Sequence, residues 1–575
     1  MRNKRSLFFI LILFLILFST SFVSASENLT HDNTNEMMLS VDSNTIENEK
    51  LDNINLDSIS QSSLSTPDQV DDAQNTDEIE NESCLTYSEK APILGASNDE
   101  PILGADQSLT GGSVQQIMDK IVACSNSGGG TVYLNGGTYY GQASLNAGQG
   151  QMIDIKNVKV VGGSQSNPNQ KATISASASS TALNFNGYGS PIPGQFSQWG
   201  PRMGYYSNSG VRLENVVFEN LIFTQRGFSF NSGSLTNVVF NNIDTNEHLF
   251  FLSGSYFDKT PVPLTNVNFT NCHQTYEGKN PQAGTDGSGQ LGAVFGAKFT
   301  GCNFINTSSA THGGAFCLSD ESEWGAARVA SSLTDCNFIN ITSRWFAVYI
   351  HGNFSTSFAY IDQPQVIDNC KFINCTGTGE YGGALGISHN GVIIRNSDFI
   401  NNTGGQGSAI MVGGIDRNHD GFNGRNTRGN NIVIDTCTFE GNVAKIEGQS
   451  SSVSPEHGNF EGHPTGNAGA IYVYGNDTQI LNSIFRENVA DSGEGAAIYI
   501  HGERTVIDNS EFYDHESDRG TVYIEGGNTV VSDSTFKHNT AEDGAGVYVK
   551  GDNTKINSGS SFIENTAENG AGVYI

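Results

Sequence analysis

The stretch Gly559–Ile575 reads GSSFIENTAENGAGVYI, and Asp533–Val549, 26 residues earlier, reads DSTFKHNTAEDGAGVYV. Related units precede them, and aligning the units on their phenylalanine gives spacings of 22 to 46 residues. The aligned residues are Phe218, Phe240, Phe269, Phe304, Phe338, Phe372, Phe399, Phe439, Phe485, Phe512, Phe536 and Phe562. A self-similar period of about 20–50 residues is typical of solenoids, so the sequence predicts one.

Each unit consists of short β-like runs separated by turn residues. In the last complete unit, GAGVYV at Gly544 is followed by the turn KGDN, the run TKIN at Thr554, a Gly/Ser corner and the run SSF. No run has the period of a helix of ten or more residues. Three strands and three corners per unit predict an all-β fold, a single-stranded right-handed parallel β-helix with coils stacked about 4.8 Å apart.

The repeated phenylalanine is predicted to point inward, because the residue two positions before it is always small and shares its side of the strand. That position holds Val216, Val238, Val267, Cys302, Cys336, Cys370, Ser397, Cys437, Ser483, Ser510, Ser534 and Ser560. The regular part of the predicted ring stack is Phe304, Phe338, Phe372, Phe399, Phe439, Phe485, Phe512, Phe536 and Phe562. We expect this stack to be the main stabilising column of the core.

An asparagine stands three residues after the phenylalanine in the later units. These residues are Asn402, Asn442, Asn488, Asn539 and Asn565. Asparagine tolerates the left-handed backbone conformation, and its side chain can satisfy backbone groups of a turn. The pattern predicts a partial asparagine ladder at a corner, since earlier units carry Leu, Ile, Cys or Thr there.

The N-terminus has the layout of a secretory signal peptide at residues 1–25, with basic residues, the apolar run LFFILILFLILF and Val-Ser-Ala. An uncleaved anchor helix is the alternative, although this run is shorter than the ~20 residues of a comfortable span. Residues 26–105 are acidic with one aromatic residue, Tyr87, which predicts a disordered spacer. The formal net charge of −31 argues against nucleic acid as a partner. We therefore expect a secreted or cell-surface protein.

The β-helix itself is predicted at residues 106–575. In SVQQIMDKIVACS the apolar residues share one helical face, and Ser113 and Gln116 form a capping box. This pattern predicts a helix at about 113–125 that covers the N-terminal end of the core. The final GAGVYI stops within a strand, so we expect an uncapped C-terminal end. The hypothesis is that the natural protein continues, or that this chain is a truncated copy.

Two motifs alternate along the chain. GGAF at Gly313, GGAL at Gly382, AGAI at Ala468 and GAAI at Gly495 alternate with Phe-x-x-Asn, a pairing that resembles the repeats of chlamydial polymorphic membrane proteins. With a duplicated ILGA and the onset GGGTVYLNGGTYYG, residues 91–575 look most like the adhesin-like surface proteins of methanogenic archaea, in the pectate-lyase-like superfamily. The resemblance implies an exported β-helix displayed at the cell surface, without catalytic residues.

Titratable residues are candidates for catalysis, because parallel β-helices also host polysaccharide lyases and hydrolases. Such enzymes need paired or clustered acids on adjacent coils. Asp368, Asp435 and Asp508 share one position but not consecutive coils, and Arg395 stands alone. The position of His501 accepts other residue types, which predicts an exposed turn; its members are His351, His389, Tyr474, His501, Glu525 and Lys550. The sequence favours an adhesin-like protein that is not an enzyme; the alternative is a carbohydrate-active enzyme with an atypical site.

The nine cysteines do not form an evident disulfide framework. Four of them occupy the inward column, which predicts buried thiols. A bond between neighbouring coils, such as Cys336–Cys370, is the alternative.

One segment resembles half of a calcium loop. In DRNHDGFNG, the residues Asp416, Asn418 and Asp420 offer oxygen ligands at alternate positions, but the twelfth position is Thr427 instead of Glu. The segment is either a Ca²⁺ site or a polar hairpin insertion, and no other cofactor is expected.

Several long insertions interrupt the units, and binding residues often lie on loops of a rigid scaffold. In the insertion at Gly187–Gly210, the aromatic residues Tyr188, Trp199, Tyr205 and Tyr206 predict a sugar platform, or alternatively rings that pack the loop onto the coils. The expected partners are glycans or proteins of host or neighbouring cells, and the protein's own envelope through an anchor not visible in this chain. Asn-x-Ser/Thr sequons, some expected to carry glycans, occur at Asn28, Asn81, Asn268, Asn306, Asn340, Asn353, Asn374, Asn401 and Asn476.

Overall fold

The computed structural model describes residues 106–575 except 149, 178–179, 188, 198–199, 206–208, 255–259, 276–289, 312, 320–329, 352–364, 380, 414–428, 446–465 and 492. Every described residue belongs to one compact unit, Pro92–Ile575. The predicted signal peptide at 1–25 and spacer at 26–105 lie outside the described residues.

The described residues form parallel sheets that run the length of a solenoid. The largest, the Phe sheet, contains the strands that carry the repeated phenylalanine and the strands that precede them. Its 28 strands are β1 Gln107–Ser108, β2 Gly112–Ser113, β3 Gly130–Tyr133, β4 Thr138–Tyr140, β6 Met152–Val161, β7 Ala172–Ser175, β11 Gly210–Phe223, β13 Ser234–Thr245, β15 Val262–Thr265, β16 Asn268–Gln274, β18 Ala297–Thr300, β19 Asn303–Ile305, β21 Ser332–Thr334, β22 Asn337–Ile339, β25 Val366–Asp368, β26 Lys371–Ile373, β29 Ile393–Arg395, β30 Asp398–Ile400, β33 Val433–Asp435, β34 Thr438–Glu440, β37 Gln479–Leu481, β38 Ile484–Arg486, β41 Val506–Asp508, β42 Glu511–Tyr513, β45 Val530–Ser532, β46 Thr535–Lys537, β49 Lys555–Ile556 and β50 Ser561–Ile563.

Two further parallel sheets complete each coil. The short sheet follows the phenylalanine strands, and its eight strands are β23 Thr342–Ser343, β27 Thr376–Gly377, β31 Thr403–Gly404, β35 Val443–Ala444, β39 Val489–Ala490, β43 Glu516–Arg519, β47 Thr540–Asp543 and β51 Thr566–Asn569. The Tyr sheet closes the coil, and its 14 strands are β5 Ala143–Asn146, β8 Thr181–Asn186, β12 Arg226–Asn231, β14 Phe250–Ser253, β17 Gly292–Phe295, β20 Phe316–Ser319, β24 Val348–His351, β28 Leu385–Ile387, β32 Ile410–Val412, β36 Ile471–Val473, β40 Ile498–Ile500, β44 Val522–Ile524, β48 Val547–Val549 and β52 Val573–Tyr574. An antiparallel pair, β9 Gly189–Ser197 and β10 Gly200–Tyr205, stands apart from these sheets.

A coil in the C-terminal part therefore has four short strands, where the sequence predicts three. The coil that begins at Val506 contains β41, β42, β43 and β44 in that order. The additional strand, β43, has the polar sequence ESDR and looks like a corner in the sequence, but it pairs in parallel with β47 of the next coil. Neighbouring coils pair in register, so that Phe512 lies opposite Phe536.

Two left-handed residues bend the chain around each phenylalanine. The first lies three positions before it; its members are Asn215, Asn237, Asn266, Gly301, Asp335, Asn369, Asn396, Thr436, Asn482, Asn509 and Asp533. The second lies two positions after it; its members are Asn220, Asn242, Asn271, Asn306, Asn340, Asn374, Asn401, Gly441, Glu487, Asp514, His538 and Glu564. Asparagine dominates both positions because, after glycine, it tolerates a left-handed backbone best.

The phenylalanines between the bends form one continuous stack in the core. Phe372, Phe399 and Phe439 are fully buried, and their ring centroids lie 4.8 Å and 5.0 Å apart with nearly parallel planes. The stack continues to Phe562, which is half-buried in the last coil. The inward orientation predicted for the repeated phenylalanine is what the structure shows.

The predicted asparagine column is also inside, and its side chains bond one another and backbone groups as predicted, but the left-handed conformation assigned to it is wrong. Asn442 is not the left-handed residue; that conformation belongs to Gly441, one position earlier. Asn442 is fully buried, and its backbone N–H and Nδ2 donate to Asn488 Oδ1 at 3.1 Å and 2.8 Å. Nδ2 of Asn442 also donates to Phe399 O at 2.9 Å. The column thus satisfies backbone groups that the bend has turned away from their strand partners.

The small residues before the phenylalanine do the same at the first bend. The backbone N–H of Ser483 donates to Ser510 Oγ at 3.2 Å, and Ser510 Oγ donates to Asp508 O at 3.0 Å. Cysteine occupies this position in earlier coils, where Cys370 Sγ donates to Asp368 O at 3.4 Å. A buried backbone N–H without a partner costs about 1–3 kcal/mol, so the serines at this position stabilise the bend beyond their small size. The first coils hold Val216, Val238 and Val267 there instead.

The cysteines within the described residues are buried free thiols. Cys336 and Cys370, the pair considered for a disulfide, remain reduced in the structure. Burial raises the pKa of Cys437 to about 12, so this thiol stays protonated. The structure therefore favours the interpretation of the column as core residues.

One helix, α1 (Val114–Asn126), covers the N-terminal end of the core. Its N-cap is Ser113, whose Oγ accepts from the backbone N–H of Gln116 at 3.3 Å, while Gln116 Oε1 accepts from Ser113 N–H at 2.8 Å. This is the predicted capping box. The helix buries the apolar face Val114, Ile117, Met118, Ile121 and Cys124.

Candidate functional site

The outer face of the Tyr sheet carries a column of aromatic residues in the C-terminal coils. In each Ile/Val-Tyr-Ile/Val strand the aliphatic residues point into the core, so the tyrosine between them points outward. These residues, the Tyr column, are Tyr472, Tyr499, Tyr523, Tyr548 and Tyr574, and they lie opposite one another in register. Tyr472, Tyr499 and Tyr523 belong to a second apolar cluster, separate from the main core, and Tyr548 packs against it.

The rings of the Tyr column stack on one another along the solenoid. The ring centroids of Tyr472 and Tyr499 lie 5.0 Å apart, and those of Tyr499 and Tyr523 lie 4.8 Å apart. Tyr472 is fully buried, Tyr523 is 3% exposed and Tyr548 is half-buried. Tyr472, Tyr499 and Tyr523 are thus buried between their neighbours, and the part of the column that is open to a ligand is Tyr548 and the exposed Tyr574.

Glycines at the corner before the Tyr sheet make room for this column. Gly407 (φ +54°), Gly520 (φ +62°) and Gly544 (φ +61°) are left-handed. A Cβ atom on Gly520 would lie 3.0 Å from the Cβ of Tyr548 in the next coil, and one on Gly544 would lie 2.9 Å from the Cβ of Tyr574. The repeated Gly-Ala motif is therefore explained by the conformation of the corner and by the close approach of the tyrosine.

An ionic network runs along one side of the Tyr column. Glu525 accepts hydrogen bonds from Tyr499 Oη at 2.9 Å and from Lys550 Nζ at 2.8 Å, and its Oε2 lies 3.1 Å from His501 Nδ1. The ring of His501 stacks on that of Tyr474 at 4.7 Å. These four residues, Tyr474, His501, Glu525 and Lys550, are the rim column. They occupy the position predicted as an exposed turn, but Glu525 is only 20% exposed because its neighbours enclose it.

The network keeps the Glu525 carboxylate ionised. Burial opposes its ionisation, but hydrogen bonds from Lys550, His501 and Tyr499 outweigh burial and lower its pKa to about 2. Burial, together with the neighbouring Tyr472 and Glu525, raises the pKa of Tyr499 well above its usual value. At neutral pH the Glu525 carboxylate is therefore an anion, and it lies beside the Lys550 cation and the neutral phenol of Tyr499.

A second ionic group lies on the other side of the Tyr column. Arg519 Nη1 is 2.8 Å from Glu494 Oε1, and Arg519 Nε is 3.9 Å from Asp543 Oδ2. The Arg519 guanidinium also lies over the Tyr548 ring, 5.7 Å from its centroid. Charged groups therefore flank the tyrosines on both sides.

The long insertions occur at the two edges of the Tyr sheet. The segments 188–208, 255–259, 320–329, 352–364 and 414–428 follow Tyr-sheet strands, whereas 276–289 and 446–465 precede them. From Gly466 onward the corners are short. Charged groups of the same coils therefore border the Tyr column. The coils that carry the long insertions come before it along the Tyr sheet.

The sites predicted on insertions lie outside the described residues. This applies to Tyr188, Trp199 and Tyr206, and to the calcium-loop residues Asp416, Asn418 and Asp420. Tyr205 ends β10, but its side chain is not described. Both sites stay predictions.

Within the described ranges, no group of three or more His, Cys, Asp or Glu side chains is arranged to hold a metal ion. A membrane-spanning helix is likewise not found in the part of the chain that the structure describes.

The Tyr column is the feature that the sequence analysis missed. Its signal is present in IYVYG, IYIHG, VYIEG and VYVKG, where a tyrosine regularly separates two aliphatic residues. The phenylalanine period describes only the inner column, whereas the tyrosines lie on the outward side of a different set of strands.

Comparison with known proteins supports the fold. A family model described as a right handed beta helix region matches residues 469–575. The fold is a right-handed parallel β-helix. No curated protein sequence matches the chain.

Solved structures show weak likeness over most of the β-helix. The A-module of the mannuronan C-5 epimerase AlgE6 of Azotobacter vinelandii is 13% identical, with a TM-score of 0.30, over 81% of this chain and 98% of that one. A mannuronic acid specific family 6 polysaccharide lyase from human gut microbiota is 11% identical, with a TM-score of 0.32, over 80% and 87%. PfbA, a surface adhesin of Streptococcus pneumoniae, is 13% identical, with a TM-score of 0.30, over 82% and 91%. No function is drawn from likenesses of this size.

Proposed function

We propose that this protein is an exported, adhesin-like β-helix displayed at the cell surface, and that the outer face of its Tyr sheet binds glycans or proteins of other cells. The observation that carries the proposal is the partly exposed charged groups on both sides of the Tyr column, together with the accessible parts of Tyr548 and Tyr574. Tyrosine and arginine are enriched in protein interfaces, because each combines a large contact area with hydrogen-bonding capacity. The signal-peptide pattern at residues 1–25 supports export.

The stacked arrangement suits binding because it is rigid before a ligand arrives. Tyr499 is fixed by ring stacking on both sides and by its hydrogen bond to Glu525. A preorganised surface loses little conformational entropy on binding. The insertions at the sheet edges add variable contacts to this constant surface, as loops on rigid scaffolds do.

Binding of the full exported chain to a glycan array and to immobilised cells tests the proposal. The double variant Arg519→Ala/Lys550→Ala removes one cation from each side of the Tyr column. We expect it to weaken capture by tenfold or more. The matched control is Arg486→Ala/Lys537→Ala, which removes two cations from the outer face of the Phe sheet.

The comparison of the two variants decides the outcome. Equal capture by both variants and by the unchanged chain, with all three folded by circular dichroism, contradicts the proposed face. Deletion of 446–465 separates the contribution of an insertion from that of the Tyr column.

A carbohydrate-active enzyme is the second candidate, since His501, Glu525 and Lys550 place an imidazole, a carboxylate and a cation on three consecutive coils. Such groups serve general acid–base chemistry. However, a carboxylate with a pKa of about 2 is a poor proton donor or acceptor near neutrality. Incubation with uronic-acid polysaccharides and Ca²⁺, followed by an assay for new reducing ends or unsaturated products, separates the candidates: turnover that His501→Ala abolishes favours the enzyme.

A further inference from the structure

Four sequons occupy the same bend on four consecutive coils. Asn306, Asn340, Asn374 and Asn401 each lie two residues after the repeated phenylalanine and begin an Asn-x-Ser/Thr triplet. All four are exposed, with φ between 53° and 55°. We call these four residues the sequon column. The left-handed bend turns each asparagine outward from the coil, between the Phe sheet and the short sheet.

The amide groups of the sequon column use only part of their hydrogen-bonding capacity. Nδ2 of Asn340 donates to Asn306 Oδ1 at 3.0 Å, and Nδ2 of Asn374 donates to Asn340 Oδ1 at 3.1 Å. Each Nδ2 carries two N–H groups, and one suffices for this bond. The bond between coils can therefore persist when the other hydrogen is replaced.

The edge of the solenoid at this bend is free of long insertions. From Gly210 onward, the interruptions in the described ranges adjoin the Tyr sheet. A strand of the short sheet starts two residues after Asn340, Asn374 and Asn401, and Ser308, two residues after Asn306, bridges to Thr342. The hydroxyl residues of the triplets are half-buried or exposed: Ser308, Thr342, Thr376 and Thr403. A modifying enzyme thus meets a regular, open row of acceptors.

We propose that the sequon column is an N-glycosylation ridge that takes glycans from a lipid-linked oligosaccharide phosphate donor. In the transfer, Nδ2 attacks C1 of the donor sugar, the N–C1 bond forms, and the C1–O bond to phosphate breaks. The amide gives up one proton to a base of the transferase, and the lipid phosphate leaves with the electron pair. The inference rests on the export in the proposed function, because such donors act outside the cytosol.

Spacing limits how many acceptors are used in one molecule. Neighbouring coils lie about 4.8 Å apart, so two branched glycans on adjacent coils would collide. We expect occupancy of alternate asparagines, with Asn306 and Asn374, or Asn340 and Asn401, modified together.

Two other sequons in the described ranges serve as internal controls. Asn268 lies at the start of the strand β16, half-buried, and its Oδ1 accepts from Asn303 Nδ2 at 2.7 Å. Asn476 is half-buried, and its Oδ1 accepts from the backbone N–H of Glu503 at 2.9 Å. Neither lies on the bend of the sequon column, so we expect both to remain unmodified.

Peptide mass spectrometry of the full chain, isolated from the exterior of the cells that make it, tests the inference. We expect glycan mass on peptides that contain the sequon column and none at Asn268 or Asn476. Thr342→Ala removes the triplet of Asn340 without touching its amide, and should abolish modification there. Thr342→Ser should restore it.

The outcomes separate this inference from the proposed function. If the protein is found outside the cell with all four asparagines unmodified, the inference is overturned and the proposed function stands. If the protein is retained inside the cell and is unmodified, both are overturned. Modification of Asn268 and Asn476 to the same extent as the sequon column also overturns the inference, because the bend would then play no part.

Discussion

The coils before Ser397 and the coils from Ser397 onward share the same bends and the same phenylalanine stack, but they stabilise the bends differently. From Ser397 onward, most of the positions beside the bends hold asparagine or serine, whose side chains bond the backbone groups of neighbouring coils, as Asn488 and Ser510 do. Before Ser397, the corresponding positions hold mainly apolar residues or cysteines, such as Ile341 and Cys336. Long insertions occur in both sets of coils, and the corners are short from Gly466 onward.

This difference teaches where the fold tolerates variation. Polar ladders require the same geometry in every coil, because a hydrogen bond fails when its partners shift by a fraction of an ångström. Asn402 nevertheless donates to Asn442 at 2.9 Å, and Asn442 to Asn488 at 2.8 Å, although residues 414–428 and 446–465 separate them in the chain. Insertions at the edges of the Tyr sheet therefore leave the ladder intact. The family model matches residues 469–575, the part that combines ladders with short corners.

The largest expected effect tests what the two regions share. Phe372→Ala in the earlier coils and Phe512→Ala in the later coils should each lower the free energy of unfolding by about 3–5 kcal/mol, because both rings are fully buried in the stack. Urea denaturation followed by circular dichroism measures the change. The adjacent exposed residues provide matched controls: Lys371→Ala and Glu511→Ala should change stability by less than about 0.5 kcal/mol. A small effect of either phenylalanine substitution would mean that its region does not depend on the stack.

Protonation of buried histidines gives a pH dependence in both regions. His248, in the earlier coils, and His515, in the later coils, have pKa values lowered to about 4 by burial. Between pH 6.5 and 4 the unfolded chain binds protons that the folded chain does not, so stability is full above pH 6.5 and decreases as the pH falls. Each histidine should lower the free energy of unfolding by about 3 kcal/mol at pH 4, relative to neutral pH.

His515→Asn provides the test in the later coils. His515 stands in the asparagine column, where its Nδ1 accepts from the backbone N–H of Asn488 at 3.0 Å, so an asparagine should fit and remove this part of the acid sensitivity. Thermal unfolding of the variant and the unchanged chain from pH 7 to pH 4 measures it. Parallel pH profiles would show that His515 is not buried in its neutral form.

Exchanging ladder residues between the regions tests the difference between them. Asn442→Ile leaves the backbone N–H of Asn402 without its acceptor, and Ile341→Asn buries an amide among apolar neighbours; each should cost about 1–3 kcal/mol. Unfolding by urea gives both values. If Ile341→Asn is neutral, the earlier coils have no need of an apolar interior, and the contrast between the regions is wrong.

The smallest expected effect concerns the corner glycines. Gly520→Ala should lower stability by about 1–2 kcal/mol, since its φ of +62° is unfavourable for alanine and its Cβ would press on Tyr548. Gly391 has a similar φ of +73° but open space around the position of a Cβ atom. Gly391→Ala therefore measures the conformational part alone, and it should be the milder substitution in a thermal melt. Equal effects would show that the contact with Tyr548 contributes nothing.

The inward orientation of the phenylalanines could be predicted from the sequence, because these residues recur periodically and the residues two positions before them are uniformly small. The sequence placed Asn442 in a ladder but assigned the bend to the wrong residue, since a single sequence does not show that Gly441 takes the left-handed conformation. It missed β43 because ESDR has neither apolar alternation nor β-branched residues. The network around Glu525 joins residues from three coils, and no local pattern in the sequence brings His501, Glu525 and Lys550 together.

Hydroxyl-radical footprinting of the full exported chain, free and captured on cells that it binds, tests the central claim most directly. The account predicts that binding reduces oxidation at the half-buried Tyr548 and at its neighbours in the rim column, while Tyr513 on the outer face of the Phe sheet is oxidised equally in both states. Protection of Tyr513 with unchanged oxidation at Tyr548 would contradict it.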